Sequence, residues 1–132
     1  MAKKITFVVQ DNTINKVIGK ERELVLRGGA NVIDAINEMD KIICEKGKFP
    51  NKYYNSLLHW VYNPIEKRFY EQVALNAYTP TQRFLNIRSD IKAEIPDGTT
   101  IILKPEGGCI SGREEPISYE KFREYASRTN SI

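Results

Sequence analysis

Apolar and polar residues alternate near the start of the chain, a pattern typical of a strand that faces a hydrophobic core. The alternation predicts a strand over residues 4–10 and a second over residues 21–27, in which Leu24 and Leu26 share a face. Residues 11–19 lie between them and are expected to form a connection. This part of the chain therefore predicts a hairpin with a long loop.

The apolar period changes to that of an amphipathic helix after Gly28-Gly29. Apolar positions then repeat at spacings of four, three and four: Val32, Ile36, Met39 and Ile43. Asn31 is expected to cap this helix, with Asp34 approximating a capping box, and the helix should end near Gly47. The apolar stripe is expected to pack against a sheet, and Cys44, which follows it in sequence, is assigned to the core.

Residues 52–77 are rich in aromatic side chains and fit no single pattern. Strands are expected over residues 57–62 and 68–77, separated by a turn at Asn63-Pro64. The aromatic residues are Tyr53, Tyr54, Trp60, Tyr62, Phe69 and Tyr70. Aromatic side chains anchor many interfaces, so this stretch is either a partner-binding patch or an additional hairpin packed on the core. His59 has no Asp, Glu or Cys at ligand spacing and is interpreted as structural.

The sheet-forming part of the chain ends in a turn, a strand and a pair of glycines. Residues 79–94 are expected to be irregular, with a short helical turn around Phe84-Leu85. Pro, Asp and Gly in residues 95–98 predict a tight turn, and the β-branched residues of 99–104 predict a central strand. Pro105-Glu106-Gly107-Gly108 follows directly. Such a diglycine is either a flexible turn or an extended end thin enough to enter the active site of a partner.

A tail of residues 109–132 follows the diglycine. Ser118 is expected to cap a short helix over residues 119–127, with Phe122 on its apolar side. We expect this helix to dock on the domain, and the alternative is a helix that binds a partner. Cys109, directly after the diglycine, is expected to be exposed.

Composition is typical of a single globular domain. Of the 132 residues, 41% are apolar and 28% are charged, and the net charge is +3. The charges are dispersed, which argues against nucleic acid as a partner, and no apolar run is long enough to span a membrane. The N-terminus has no signal sequence, so the cytoplasm is the expected location. Cys44 and Cys109 suit neither a disulfide framework nor a metal site.

Three segments follow one another in the order and spacing of a known family. Residues 95–108 run from an Asp-Gly turn through an apolar strand and a proline to the diglycine. Residues 73–78 read Val-Ala-Leu-Asn-Ala-Tyr, and residues 31–36 read Asn-Val-Ile-Asp-Ala-Ile. Together these segments resemble the MoaD/ThiS sulfur-carrier family, with its closing diglycine, its Val-Ala-Val-Asn-Gly strand and its Thr-Val-x-Asp-Leu-Leu helix start. The resemblance covers residues 4–108, with an insertion at about residues 48–70.

The resemblance implies an α+β, ubiquitin-like β-grasp fold: a mixed sheet with one main helix packed on it, a hairpin insertion and a C-terminal tail helix. Residues 1–108 would form the β-grasp domain, and residues 109–132 its extension. Members of the family are carriers rather than enzymes and bind no cofactor. An E1-like enzyme uses ATP and magnesium to adenylate the last glycine, here Gly108 after Gly107. The product is a thiocarboxylate for a sulfur-using enzyme, or a conjugate with an acceptor protein.

Gly108 is joined to Cys109 in this chain and has no free carboxyl group. Some family members carry residues after the diglycine that a JAMM-type zinc peptidase removes, so the resemblance implies cleavage between Gly108 and Cys109. The rival interpretation is a non-catalytic β-grasp interaction module or complex subunit with a permanent tail. A tail that is buried and hydrogen-bonded would favour the module. The sequence leaves the target, the pathway and self-association undecided.

Overall fold

The computed structural model describes residues 2–107 and 113–130. Its strands are β1 (Lys3–Val9), β2 (Glu21–Leu26), β3 (Tyr62–Asn63), β4 (Arg68–Phe69), β5 (Ala74–Tyr78), β6 (Phe84–Leu85) and β7 (Thr100–Lys104). Its helices are α1 (Asn12–Ile18), α2 (Val32–Glu45), α3 (Leu57–Val61) and α4 (Tyr119–Asn130). Strands and helices are combined in one fold, so the predicted α+β class is confirmed.

Five of these strands form a mixed sheet in the order β2-β1-β7-β5-β6. β1 and β7 lie parallel at the centre, and the other neighbours are antiparallel. Ile101 and Leu103 of β7 are fully buried, which confirms the prediction of a central strand. The predicted hairpin of the first two strands is also confirmed, with Leu24 and Leu26 buried on the same face.

The connection between β1 and β2 contains a helix that the sequence pattern did not predict. Most of residues 11–19 belong to α1, and the Asp11 carboxylate caps it by accepting the Ile14 N–H at 3.0 Å. Ile14 and Ile18 are buried and pack α1 on the core. A helix of seven residues has only about two turns and buries only these two residues, which is too few for a periodic signal.

α2 begins with the predicted capping box. The Asn31 side chain accepts the Asp34 N–H at 3.1 Å, and the Asp34 carboxylate accepts the Asn31 N–H at 2.9 Å. The predicted stripe is buried: Val32, Ile36, Met39 and Ile43. The assignment of Cys44 to the core is wrong, because its side chain is exposed. One step along a helix rotates the side chain by about 100°, so the residue after Ile43 turns away from the sheet.

The expected strand over residues 57–62 is wrong, because α3 occupies all of it except the last residue. Ser56 caps α3, and the Asp40 carboxylate on α2 accepts the N–H groups of Leu57 and Leu58 at 2.7 and 3.2 Å. All five residues of α3 are buried. A short run that is buried on every side has no alternation, so its sequence does not distinguish a helix from a strand.

The aromatic stretch forms the additional hairpin that was one of its two interpretations. β3 and β4 pair antiparallel, with the predicted turn beginning at Asn63-Pro64. Tyr62 and Phe69 are buried, with ring centroids 5.4 Å apart. The single strand expected over residues 68–77 is wrong, because the chain turns over residues 70–73 and divides it between β4 and β5.

The helical turn expected at Phe84-Leu85 is wrong, because these residues form β6 and pair with the end of β5. The tight turn over residues 95–98 is confirmed, with Gly98 at a φ of +81°. Gly98 N–H donates to the Lys4 carbonyl at 2.7 Å, and the Asp97 carboxylate accepts the Lys4 N–H at 2.8 Å. The turn therefore fastens the start of β7 to β1.

A hydrophobic core lies between the sheet and the helices. It includes side chains from β1, β2, β5, β7, α1, α2 and α3, and it extends to Phe122 of α4. Within residues 2–107 and 113–130, no helix combines the length and the apolar character needed to cross a membrane.

Candidate functional site at the diglycine segment

Gly107, the first glycine of the pair, is packed against β5. Its N–H donates to the Gln72 carbonyl at 2.6 Å. A Cβ added at Gly107 would lie 2.6 Å from the Ala74 Cβ and 2.9 Å from the Ala74 backbone nitrogen. Packing alone therefore requires a glycine here. Gly108 and Cys109, the predicted cleavage site, lie outside the described residues.

Glu106 connects the two sides of the diglycine segment. Its carboxylate accepts the Trp60 indole N–H at 3.3 Å and pairs with the Arg113 guanidinium at 3.0 Å. Arg113 also donates to the Tyr54 hydroxyl at 3.4 Å, and the Tyr54 and Trp60 rings stack with centroids 5.1 Å apart. Glu106, just before Gly107, and Arg113, just after the undescribed residues, therefore meet beside the stacked rings of Tyr54 and Trp60.

Residues 113–118, here called the tail strap, continue across residues 48–72. The name insertion is kept for these residues because the sequence predicts one at about residues 48–70. The Glu114 carboxylate receives two N–H groups of Arg68, one of them at 2.9 Å, and the Glu71 backbone N–H at 2.7 Å. The hydrogen bonds from Arg68 and Glu71 stabilise the charged form and lower the pKa of Glu114 to about 2. Glu114 is therefore an anchor that stays ionised at neutral pH.

Gln72 bonds to the chain on both sides of the undescribed residues 108–112. Its side-chain amide donates to the Glu114 carbonyl at 2.9 Å and accepts the Glu114 N–H at 3.0 Å. Its backbone carbonyl accepts the Gly107 N–H. The Gln72 side chain is only 5% exposed, and a buried amide needs partners for both its oxygen and its nitrogen. The strap supplies both.

The backbone N–H and carbonyl of Ile117 are also bonded to side chains, those of Tyr70 and His59. Its N–H donates to the Tyr70 hydroxyl at 3.0 Å, and its carbonyl lies 2.9 Å from His59 Nε2. The Asn55 N–H points to His59 Nδ1 at 3.2 Å, so Nδ1 accepts and Nε2 carries the proton that reaches Ile117. Burial lowers the pKa of His59 and keeps the ring neutral. His59 has a structural role here, as the sequence analysis proposed, although on a helix rather than a strand.

The expected tail helix follows the strap as α4. The Ser118 hydroxyl accepts the Lys121 N–H at 3.3 Å, in agreement with its predicted capping role. Phe122 is 6% exposed and lies 5.2 Å from the His59 ring, between ring centroids. The tail is therefore docked on the insertion through both the strap and the first turns of α4.

No known protein family matches the chain, and no curated protein or solved structure matches it. In the part of the chain that the structure describes, no group of three His, Cys, Asp or Glu residues is placed to hold a metal ion. The geometry of the strap and the sheet is therefore the basis for a proposed function.

Most of the residues that hold the strap were not singled out from the sequence. Arg68, Gln72 and Glu114 are polar residues in segments without a clear period, and their partners lie more than forty residues away in the chain. A polar pair formed over such a distance leaves no local pattern in one sequence. The signals available were Tyr70, which belongs to the aromatic stretch, and His59, which the sequence analysis interpreted as structural.

Proposed function

We propose that this protein is a non-catalytic β-grasp interaction module or complex subunit, in which the C-terminal tail is a permanent part of the fold. The observation that carries the proposal is the recognition of the tail strap by the insertion. Both backbone polar groups of Glu114 are bonded to Gln72, and both of Ile117 are bonded to Tyr70 and His59. Buried polar side chains are costly without partners, and in this structure the strap supplies those partners to Gln72, Tyr70 and His59.

The arrangement of the sheet supports the β-grasp part of the proposal. Its two central strands are parallel, its outer strands are antiparallel, and α2 packs across one face. In this interpretation, the insertion and the tail are one addition to the basic fold. The cytoplasmic location and the absence of a nucleic-acid partner remain predictions from the sequence.

Two measurements test the permanent tail. The intact mass of the protein isolated from its own cell should correspond to a chain that extends past Gly108, and a variant that ends at Gly108 should unfold at lower urea concentration than the full chain. A native mass that ends at Gly108 would overturn the proposal. So would a shortened chain as stable as the full one, because the strap would then contribute nothing to the fold.

The second candidate is the carrier function that the family resemblance implies, and the position of Gly107 favours it. Gly107 comes shortly after the end of β7 at Lys104, and the resembled family has its reactive end after the corresponding strand. In this candidate a JAMM-type zinc peptidase cuts between Gly108 and Cys109. An E1-like enzyme then adenylates Gly108 with ATP and magnesium, for thiocarboxylate formation or for conjugation to an acceptor protein.

Activation of that kind requires a local rearrangement. The hydrogen bond between Gly107 and Gln72 must open so that the end of the chain can leave β5 and enter the activating enzyme. Incubation of the full chain with a JAMM-type zinc peptidase, an E1-like enzyme, ATP and magnesium, followed by mass measurement, tests this candidate. An adenylate, thioester or thiocarboxylate on a chain ending at Gly108 is the expected product. An unmodified full-length chain under the same conditions contradicts it.

A further inference from the structure

The outer edge of β2 is open. Among the strands that the structure describes, β2 pairs only with β1 and forms one border of the five-stranded sheet. Val25, near the middle of this edge strand, is 59% exposed although it is a large apolar residue. Unpaired edges with apolar side chains are sites where a further strand adds.

The direction of the backbone groups along this edge follows from the neighbouring strand. Lys4 bonds through both its N–H and its carbonyl to the turn before β7, and the Thr6 N–H donates to the Thr99 carbonyl at 3.0 Å. Their backbone groups therefore face away from β2. When a residue of an antiparallel pair points its backbone groups away from its neighbour, the residue opposite also points its N–H and carbonyl groups away from the pair. Val25 lies opposite Lys4 and Glu23 opposite Thr6, so both present their N–H and carbonyl groups at the open edge.

We propose that β2 pairs antiparallel with β2 of a second copy of this chain, which joins two five-stranded sheets into one. In the register centred on Leu24, residues 22–26 of both strands are paired, all within β2. Glu23 then lies opposite Val25 of the second copy, and the outward N–H and carbonyl groups of both residues are satisfied. The inference goes beyond the proposed function and depends on no property of the tail strap.

The charges of the strand are complementary in this arrangement. Glu21 lies opposite Arg27 of the second copy, and the two-fold symmetry repeats this pair at the other end. A parallel pairing in register would instead place Glu21 and Glu23 against themselves. Opposite charges directly across a strand pair stabilise it, whereas like charges destabilise it. The sequence of β2 therefore favours an antiparallel partner identical to itself.

A groove next to the edge leaves room for the added strand. It has a volume of about 670 Å³ and is lined by Val25 and Leu26 of β2 and by the carboxylates of Asp34, Glu38 and Asp40. Arg27 and Lys41 also line it and pair with Asp34 and Glu38. Arg22 of the second copy, opposite Leu26, would face this groove. Three carboxylates against two cations leave an excess of negative charge in the groove, which favours the guanidinium of Arg22 there.

The self-association is tested by sedimentation of the full chain from about 1 µM to about 1 mM, the range in which edge pairings of modest size form. Val25→Pro removes an N–H that faces the open edge and is not part of the pairing with β1, so the domain should fold and the dimer should be lost. Val25→Thr keeps the N–H and the strand propensity and is the matched control. The Glu23 and Val25 amides of the wild type should become protected from hydrogen exchange as concentration rises.

Charge reversal provides an independent test. Glu21→Arg or Arg27→Glu alone puts like charges opposite each other twice per dimer and should raise the dissociation constant about tenfold or more. The double variant restores opposite charges and should bring the constant back toward that of the wild type. Far-ultraviolet circular dichroism confirms that each variant is folded. A wild type that stays monomeric at 1 mM, or a dimer that none of these variants weakens, overturns the proposal.

Discussion

The Arg68 guanidinium donates to both carboxylate oxygens of Glu114, a residue 46 positions further along the chain. This two-point ion pair joins the insertion to the tail strap at a site that is only partly exposed on either side. Ion pairs of this geometry are stronger than single contacts between flexible surface charges. It is one of several contacts that fasten the strap to the insertion.

Glu114→Gln should loosen the strap. The amide keeps the shape of the side chain but loses the charge that Arg68 binds, at a cost of about 1 kcal/mol for a partly exposed pair. Hydrogen exchange at the Ile117 and Phe122 amides should become several-fold faster. Glu115→Gln, the same change at the exposed neighbour, is the control. Unchanged exchange in Glu114→Gln would show that the pair does not hold the tail.

Acidification should reproduce this effect in the wild type. The pKa of Glu114 is lowered from 4.5 to about 2 in the folded protein, so its stabilisation is complete above pH 4.5 and is lost as the pH falls toward 2. The exchange rates of the Ile117 and Phe122 amides, corrected for intrinsic pH dependence, should therefore approach those of Glu114→Gln in that range. A gap between the two proteins that stays constant down to pH 2 contradicts this assignment.

Gly107→Ala should destabilise the fold for steric reasons alone. The new Cβ would stand within 3 Å of both the Cβ and the backbone nitrogen of Ala74, and overpacking of this kind costs roughly 1–3 kcal/mol. Urea unfolding measures the change. The double variant Gly107→Ala with Ala74→Gly removes the nearer of the two clashes and should recover part of the loss. Full stability of Gly107→Ala would mean that the segment is not packed against β5.

Sequence patterning predicted the elements whose apolar residues recur over many positions. β1, β2, β7 and α2 belong to this group, because each buries one face and exposes the other, so that period 2 or period 3.6 is visible. The tight turn at residues 95–98 was also predicted, since Gly98 adopts the positive φ that glycine permits.

The elements that patterning missed are short or buried on all sides. α1 has two buried isoleucines, and α3 is buried at each of its five positions, so neither shows a period. The strap was missed for another reason. Apart from ion pairs such as that of Arg68 with Glu114, many of its contacts join side chains to the backbone groups of Glu114 and Ile117, and backbone groups are the same in every residue. Its residues could therefore not be predicted without the tertiary structure.

Asp40 should give the protein an unusual dependence of stability on pH. Burial raises its pKa from 3.8 to about 6, against the opposing effect of the hydrogen bonds from Leu57 and Leu58. The folded state therefore binds the proton more tightly than the unfolded state. The contribution of Asp40 to the free energy of unfolding is highest below pH 4, falls as the pH rises toward 6, and is constant above pH 6. The change is at most about 3 kcal/mol.

Asp40→Asn should remove this slope. Urea unfolding of the variant and of the wild type at intervals between pH 4 and 7 gives the difference directly, because the other titrating groups are common to both. Glu38→Gln makes the same chemical change on the same helix and should leave the slope in place. Parallel curves for the wild type and Asp40→Asn would contradict the raised pKa.

Phe122→Ala should detach α4 from the insertion. Phe122 is almost completely buried against the ring of His59, and truncation of a buried phenylalanine costs roughly 3 kcal/mol or more. The expected results are loss of helical circular dichroism and faster proteolysis within the tail. Lys121→Ala, on the exposed side of the same helix, serves as the control. A tail that resists proteolysis in Phe122→Ala as well as in the wild type would show that the strap alone is sufficient.

The parallel contact of β1 with β7 also determines when the protein is able to fold during its synthesis. Thr6 of β1 lies opposite Thr100 of β7, so the two central strands are far apart in the sequence. β7 therefore leaves the ribosome long after β1. β1 and β2 emerge early and pair with each other, but the other side of β1 has no neighbour until β7 arrives. Sheets that depend on such distant pairings form slowly. The nascent chain therefore carries an unprotected strand edge through most of translation, and an unpaired edge of this kind is prone to aggregation.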